Sequence, residues 1–247
     1  MGLIFGAWIT IATAGLNLDY DSQMEHLLEQ VRQDFAETAG YSGIMSPHER
    51  VMQAMSRVPR HAYVPQRSQS RAYFNRPMSI GHGQTISQPF IVALMTHALA
   101  PQASHCILEI GTGSGYQAAV LAELVHCVYT IEIIPDLADS ASKRLAENGY
   151  DNIQVRTGDG WHGWPEHAPF DGIIVTAATN EIPPALITQL KPGGRLVLPV
   201  GKPNQGQMLK VVSKTSSGQV TEQDLLPVIF VPFTRAGDDI QTNKPGN

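Results

Sequence analysis

Positive charge is scarce in this chain. Lys and Arg number 17 against 22 Asp and Glu, the formal net charge is -5, and no basic cluster or tail appears. The electrostatic footprint of a nucleic-acid-binding protein is therefore missing. Cysteine is nearly absent: Cys106 and Cys127 each sit in an apolar, strand-like run. Both are expected as small buried hydrophobes rather than as a disulfide or metal site. None of the nine histidines falls in a His-Glu-x-x-His or similar ligand spacing, so no metal is expected. A long apolar run is lacking too. Leu3 to Leu18 is mostly apolar and uncharged, but falls short of the about 20 residues that span a bilayer. Ala12-Thr13-Ala14 has the small-x-small form of a signal cleavage site, yet no Lys or Arg precedes Arg32. The positive segment that a signal peptide needs is thus missing. A cytoplasmic location is expected; the alternative is periplasmic or membrane-anchored, if residues 1–23 act as a signal.

What is present suits a large α/β core. The 247 residues are 43% hydrophobic, enough for a single domain expected over 24–237, with a polar tail at 238–247. No repeat is visible. Leu27, Leu28, Val31 and Phe35 recur at helical spacing between Met24 and Ala39. Ser46-Pro47-His48-Glu49 has the form of a second helix start, with Ser46 as cap. Tyr63 to Ser79 lacks periodicity and reads as irregular surface. The polar loop from Ile80 to Pro89 leads into an apolar helix, and on composition alone Ser87 reads as that helix's cap.

From Cys106 onward, apolar strand-like runs alternate with helical patterns. The runs end at Ile110, Glu132, Arg156, Thr176 and Val200. This alternation predicts a doubly wound, mostly parallel sheet with right-handed crossovers. Two further runs, Met208 to Ser213 and Leu225 to Phe233, flank Ser216-Ser217-Gly218. With no helix between them, they predict an antiparallel hairpin at one edge.

Leu108-Glu109-Ile110-Gly111-Thr112-Gly113-Ser114-Gly115-Tyr116 joins the first strand of this alternation to a helix. Such a glycine turn is expected to offer bare backbone N–H groups to a ligand. Two ligand classes fit. The dinucleotide pattern Gly-x-Gly-x-x-Gly needs its third glycine one position later than Gly115. Glu109, Glu132 and Asp159 all lie at strand ends, where a ring of acids would oppose a pyrophosphate. The same acids suit S-adenosylmethionine, which has a sulfonium, an ammonium and a ribose diol but no phosphate. The acids therefore favour S-adenosylmethionine over NAD.

Several motifs together resemble one family. Gly-Gln-Thr-Ile-Ser ahead of the glycine turn, Gly158-Asp159-Gly160, Ala168-Pro169-Phe170-Asp171, Lys191-Pro192-Gly193-Gly194 and Val231-Pro232-Phe233-Thr234 occur in the order seen in protein-L-isoaspartate O-methyltransferases. The resemblance runs from about Met24 to Arg235. It implies a Rossmann-like methyltransferase fold, with an N-terminal helical addition and a C-terminal edge hairpin. It also implies methyl transfer from S-adenosylmethionine to isoaspartyl proteins and peptides. Ser87 is then the active-site residue, which displaces its reading as a mere cap. Thr85, Ile86, Thr112, Glu132, Asp159, Gly160 and Thr234 match cofactor-contacting positions, beside Glu109, Gly111 and Gly113 of the turn. Asn75 stands where the family often has Asp, which leaves a hydrogen-bonding role there but no charge. A monomer is expected.

Overall fold

The computed structural model describes residues 19–202 and 206–238. The apolar stretch ending at Leu18 and most of the polar tail therefore lie outside the described residues. Helix α1 (Tyr20–Ser42) starts where Asp19 accepts a hydrogen bond from the Ser22 N–H at 3.1 Å. Residues 20–23, assigned by sequence to the extension, thus belong to this helix. It buries Met24, Leu27, Leu28, Val31 and Phe35 and ends at Gly43, whose φ of 71° is left-handed. Helix α2 (Glu49–Arg57) begins later than the Ser46 pattern suggests, with His48 at its cap position. The His48 N–H donates to His97 Nδ1 at 3.0 Å, and this tertiary bond replaces the local cap. Burial lowers the His97 pKa to about 4, so its ring is the neutral acceptor this bond requires.

The passage expected to be irregular surface is mostly exposed or half-buried, but Tyr63, Val64, Ala72, Tyr73 and Met78 of it turn inward. Short 3-10 helices at Arg60–Tyr63 and Gln66–Arg71 bury Arg60 and Tyr63, and Ala72 and Tyr73 follow them inside. Turns this short carry no helical period, which is why the pattern looked featureless. Strands β1 (Met78–Gly81) and β2 (Gln84–Ile86) then pair antiparallel. His82 and Gly83 turn between them, both at positive φ, as a tight two-residue hairpin requires. Helix α3 (Pro89–Leu99) follows with Gln88 as its cap residue. Ser87 caps nothing.

The main sheet contains β3 (Cys106–Ile110), β4 (Cys127–Glu132), β5 (Ile153–Thr157), β6 (Phe170–Val175), β7 (Leu190–Val200), β8 (Gln207–Lys214) and β9 (Val220–Val228). Their order is β5-β4-β3-β6-β7-β8-β9. The first five run parallel, and β8 and β9 each run antiparallel to the strand before. Helices α4 (Tyr116–Ala122), α5 (Pro135–Glu147) and α6 (Pro184–Gln189) complete the crossovers. The last strand lies earlier than its apolar run suggested. Its pairing with β8 takes in Glu222 and Asp224, which form ion pairs with Lys210 on the exposed edge. Residues after Val228 are thereby freed to return toward the parallel strands, where Pro232 bridges to Ala178.

Cys106 and Cys127 correct the expectation of free thiols: they form a disulfide, with Cα atoms 4.6 Å apart. Parallel pairing of β3 and β4 makes the two residues direct neighbours. A separation of 21 residues in sequence conceals that register. No helix among the described residues is long and apolar enough to cross a membrane.

Candidate active site

The chain leaves β3 toward β4 and later returns to β6 on the other side of β3. The carboxyl ends of β3 and β6 therefore form a topological switch point, where open α/β sheets bind ligands. Gly111 turns there with φ 95°. A Cβ on it would collide with the Thr176 hydroxyl just past β6. That hydroxyl donates toward the Gly111 carbonyl at 2.7 Å and lies 3.1 Å from the Ile110 carbonyl. Thr176 thus clamps the two strand ends together. Its place at the end of the fourth strand-like run was the signal for it.

Most of the N–H groups expected to be bare at the turn are already engaged. Gly111 and Thr112 donate to the Ile131 carbonyl, Gly115 to the Thr112 carbonyl, and Gly113 to Glu132 Oε2 at 2.8 Å. Helix α4 is also a short one. Backbone donors here shape the turn and position Glu132, which takes a second bond from the Ile134 N–H at 3.0 Å.

The three acids differ in state. Glu109 is fully buried and does not line the crevice. Thr130 donates to its Oε2, Thr112 donates in turn to Thr130 at 2.7 Å, and Oε1 has no partner. Burial pushes the Glu109 pKa up to about 8, so it is mostly protonated at neutral pH. Asp159 holds the returning C-terminal segment: Oδ2 accepts from Arg235 Nε at 2.9 Å and from the Ala236 N–H at 3.2 Å, and Oδ1 accepts from the Trp161 N–H at 2.9 Å. Burial alone would raise its pKa, but these bonds bring it below the ordinary value. Glu132 alone is both acidic and lining the crevice. Burial raises its pKa, against the pull of the Gly113, Ile134 and Ile133 N–H groups. Of the three acids expected around the crevice, Glu132 is the one that lines it.

Three spaces meet at the switch point. A narrow crevice of about 60 Å³ runs between the glycine turn, Glu132, Gly160 and Phe233-Thr234. A groove of about 730 Å³ runs beside Ser87, between α1, α3 and residues 226–231. A cavity of about 30 Å³ lies between Ile86-Ser87 and Thr112-Gly113. Thr85 and Thr176 line all three. No Lys or Arg lines any of them among the described residues.

The Ser87 loop is held by a residue the sequence reading passed over. Arg60 is fully buried, and its Nη2 donates to the Ser87 carbonyl at 2.8 Å while Nε donates to the Ala72 carbonyl at 2.9 Å. Its guanidinium lies 4.9 Å from the centre of the Tyr116 ring, at the start of α4. No carboxylate pairs with it among the described residues, and Nη1 has no partner. Burial lowers its pKa to about 10, which leaves it cationic at neutral pH. The available signal was an arginine set between Val58-Pro59 and Ala62-Tyr63. Asn75 ties the same region: Oδ1 accepts from the Phe90 N–H at 3.0 Å, and Nδ2 donates to Asp34 at 2.7 Å.

Sheet order, glycine turn and strand-end acid define a Rossmann-like methyltransferase of the S-adenosylmethionine-dependent type. The sequence pattern of one family, Protein-L-isoaspartate(D-aspartate) O-methyltransferase, matches residues 27–238, and the chain belongs to that family. It is 53% identical over 215 residues to Protein-L-isoaspartate O-methyltransferase 2 of Syntrophobacter fumaroxidans, covering 87% of each chain. Its identity to Protein-L-isoaspartate O-methyltransferase 2 of a Polaromonas species is 55% over 208 residues, 84% of this chain and 99% of that one. Among solved structures, a protein-L-isoaspartate O-methyltransferase superposes with TM-score 0.72 at 26% identity, over 85% of this chain and 65% of the other. The fold is also that of a Plasmodium falciparum protein, crystallised with S-adenosyl-L-homocysteine, at TM-score 0.71 and 22% identity, over 87% of this chain and 98% of that one.

Proposed function

We propose that this protein transfers a methyl group from S-adenosylmethionine to the free α-carboxylate of L-isoaspartyl residues in damaged proteins and peptides. One observation carries the reading. Thr85 and Thr176 stand where a narrow crevice, free of basic residues, meets an open groove beside Ser87. The crevice suits this cofactor chemically. The Glu132 carboxylate can accept from a ribose diol, Ile131, Ile134 and Phe233 supply apolar walls, and no Lys or Arg awaits a pyrophosphate. NAD is disfavoured on the same ground.

When bound, S-adenosylmethionine supplies an electrophilic methyl group on a sulfonium. The acceptor carboxylate, with a pKa near 4, is already ionised at neutral pH, so no general base is needed. Thr85 and Ser87 carry hydroxyls suited to orienting the carboxylate rather than activating it, whereas the Thr176 proton is committed to the Gly111 carbonyl. Gly111, Gly113, Glu132, Gly160 and Thr234 act on the cofactor from the crevice, and Ile86 and Thr112 act from the small cavity. Glu109 acts from behind the turn through Thr130. Asp159 acts by fixing the Arg235 segment, with most of its acceptor capacity already engaged. Residues 20–237, with helix α1 included, act as one methyltransferase domain, and the protein acts as a monomer.

The test is incubation with labelled cofactor and an isoaspartyl peptide beside its normal aspartyl twin. Label should enter the isoaspartyl peptide alone; a folded protein that labels neither would refute the proposal. Ser87→Ala should lower turnover with little change in cofactor affinity, and Glu132→Ala should mainly weaken cofactor binding. Equal loss of affinity in both variants would refute that division of roles.

One observation favours the second reading of location. A disulfide persists in oxidising compartments and is rare in a reducing cytosol, so the Cys106–Cys127 bond supports export over the cytoplasm. Mass spectrometry of the mature N-terminus decides: cleavage after Ala14 supports export, and an intact Met1 with free thiols supports the cytoplasm.

A further inference from the structure

The groove beside Ser87 is walled by apolar and neutral polar groups, with one exception among its described lining residues: Asp34 of α1. The carboxylate is held in place. Its Oδ2 accepts from Asn75 Nδ2 at 2.7 Å, and Asn75 in turn accepts from the Phe90 N–H at the first turn of α3. The Asn75 amide must face this way, because its oxygen is committed to the Phe90 donor. No Lys or Arg forms an ion pair with Asp34 among the described residues. Glu37, one turn along α1, adds charge of the same sign. Arg76, next to the groove residue Pro77, lies over the Phe74 ring, 5.0 Å from its centre. Burial raises the Asp34 pKa, and the bond from Asn75 opposes that rise. A fixed carboxylate in an otherwise neutral wall sets the sign of the local field.

We propose that Asp34 is a specificity-determining residue. The groove favours isoaspartyl peptides with Lys or Arg beside the damaged residue over those with Glu or Asp there. This rests on the groove being the peptide site. A purely structural role, tying α1 to α3, makes a different forecast. Asp34→Asn keeps an oxygen to accept from Asn75 and removes only the charge.

The experiment compares kcat/KM at pH 7.5 for isoaspartyl peptides that differ by Lys, Ala or Glu on either side of the isoaspartate. Wild type should prefer Lys over Glu on at least one side by about three- to fivefold at low salt, the range of a partly exposed ion pair. High salt should shrink that ratio, and Asp34→Asn should bring it close to one. Thr38→Asp places a second carboxylate on the same wall and should raise the ratio, which keeps the test open if Asp34→Asn fails to fold. A wild type without preference, or a ratio unmoved by both substitutions, overturns the proposal. Failure of the enzyme reading looks different: wild type would then methylate none of the peptides.

Discussion

On the glycine-turn side of the site, Glu109 is wholly buried, protonated at neutral pH, and joined to the turn by two threonine hydroxyls. On the loop side, Arg60 is wholly buried, cationic, and joined directly to main-chain carbonyls 12 and 27 residues away. Each leaves one polar atom without a partner. The acid answered burial by becoming neutral, as a lone buried carboxyl must. The guanidinium cannot, because its pKa is too high to lose the proton. Arg60 is tolerated because several oxygens and an aromatic face replace its water. The turn side is held through strand register; the loop side is held by side chains, Arg60 and Asn75.

Breaking the loop side should have the larger effect. Arg60→Met removes a charge that is costly to bury, but strands the carbonyls of Ala72 and Ser87. At about 1–3 kcal/mol for each unsatisfied buried group, the stranded carbonyls outweigh the relief, and stability should fall by about 2–4 kcal/mol in urea unfolding. Turnover should fall further, by about 100-fold, because the Ser87 main chain loses its anchor beside the reacting groups. Arg60→Lys keeps the charge without the planar fork and should recover stability better than turnover. A variant that loses stability but keeps wild-type turnover would show Arg60 to be only a strut.

The same contrast explains what the sequence could reveal. Parallel strands buried on both faces appear as near-continuous apolar runs, so β3 to β7 and their switch point were readable from Cys106 onward. Glu132 and Gly160 could be placed because strand ends carry the site in such sheets. The loop side offered no period. Arg60 donates to the Ser87 carbonyl across 27 residues, and Asn75 donates to Asp34 across 41, and side-chain bonds at such range leave no local pattern. Charge state was equally hidden: Glu109 and Asp159 looked like free acids until burial and Arg235 were seen. The disulfide was missed because its partners are adjacent only once β3 and β4 are in register.

A second test asks whether the turn side is stiff for reasons local to the site. The disulfide joins β3 and β4 at Cys106 and Cys127, the opposite ends of those strands from Glu109 and Glu132. Opening it releases a loop of 21 residues, which the chain-entropy estimate sets at about 3 kcal/mol. Cys106→Ser with Cys127→Ser should lower the unfolding midpoint accordingly. Hydrogen bonds along five paired residues still hold the strands together, so kcat/KM should stay within about twofold. A larger fall in activity would mean that strand register at the site depends on the covalent link.

Glu109→Gln is the finest test of the turn side. The folded pKa, about 8, lies above the ordinary value of 4.5, so between these pH values the native state holds a proton that the unfolded state has lost. Stability is greatest below the unfolded value and falls as pH rises through this window, by up to about 1.4 kcal/mol per unit. Above the folded pKa the slope vanishes again. Gln cannot ionise, and its oxygen can still accept from Thr130, so the variant should lack this slope. Its advantage over wild type should be small at pH 5 and widen toward pH 8 in urea unfolding. If the two curves instead stay parallel, the acid is ionised in the folded protein at neutral pH. The turn side would then be held by charge, as the loop side is.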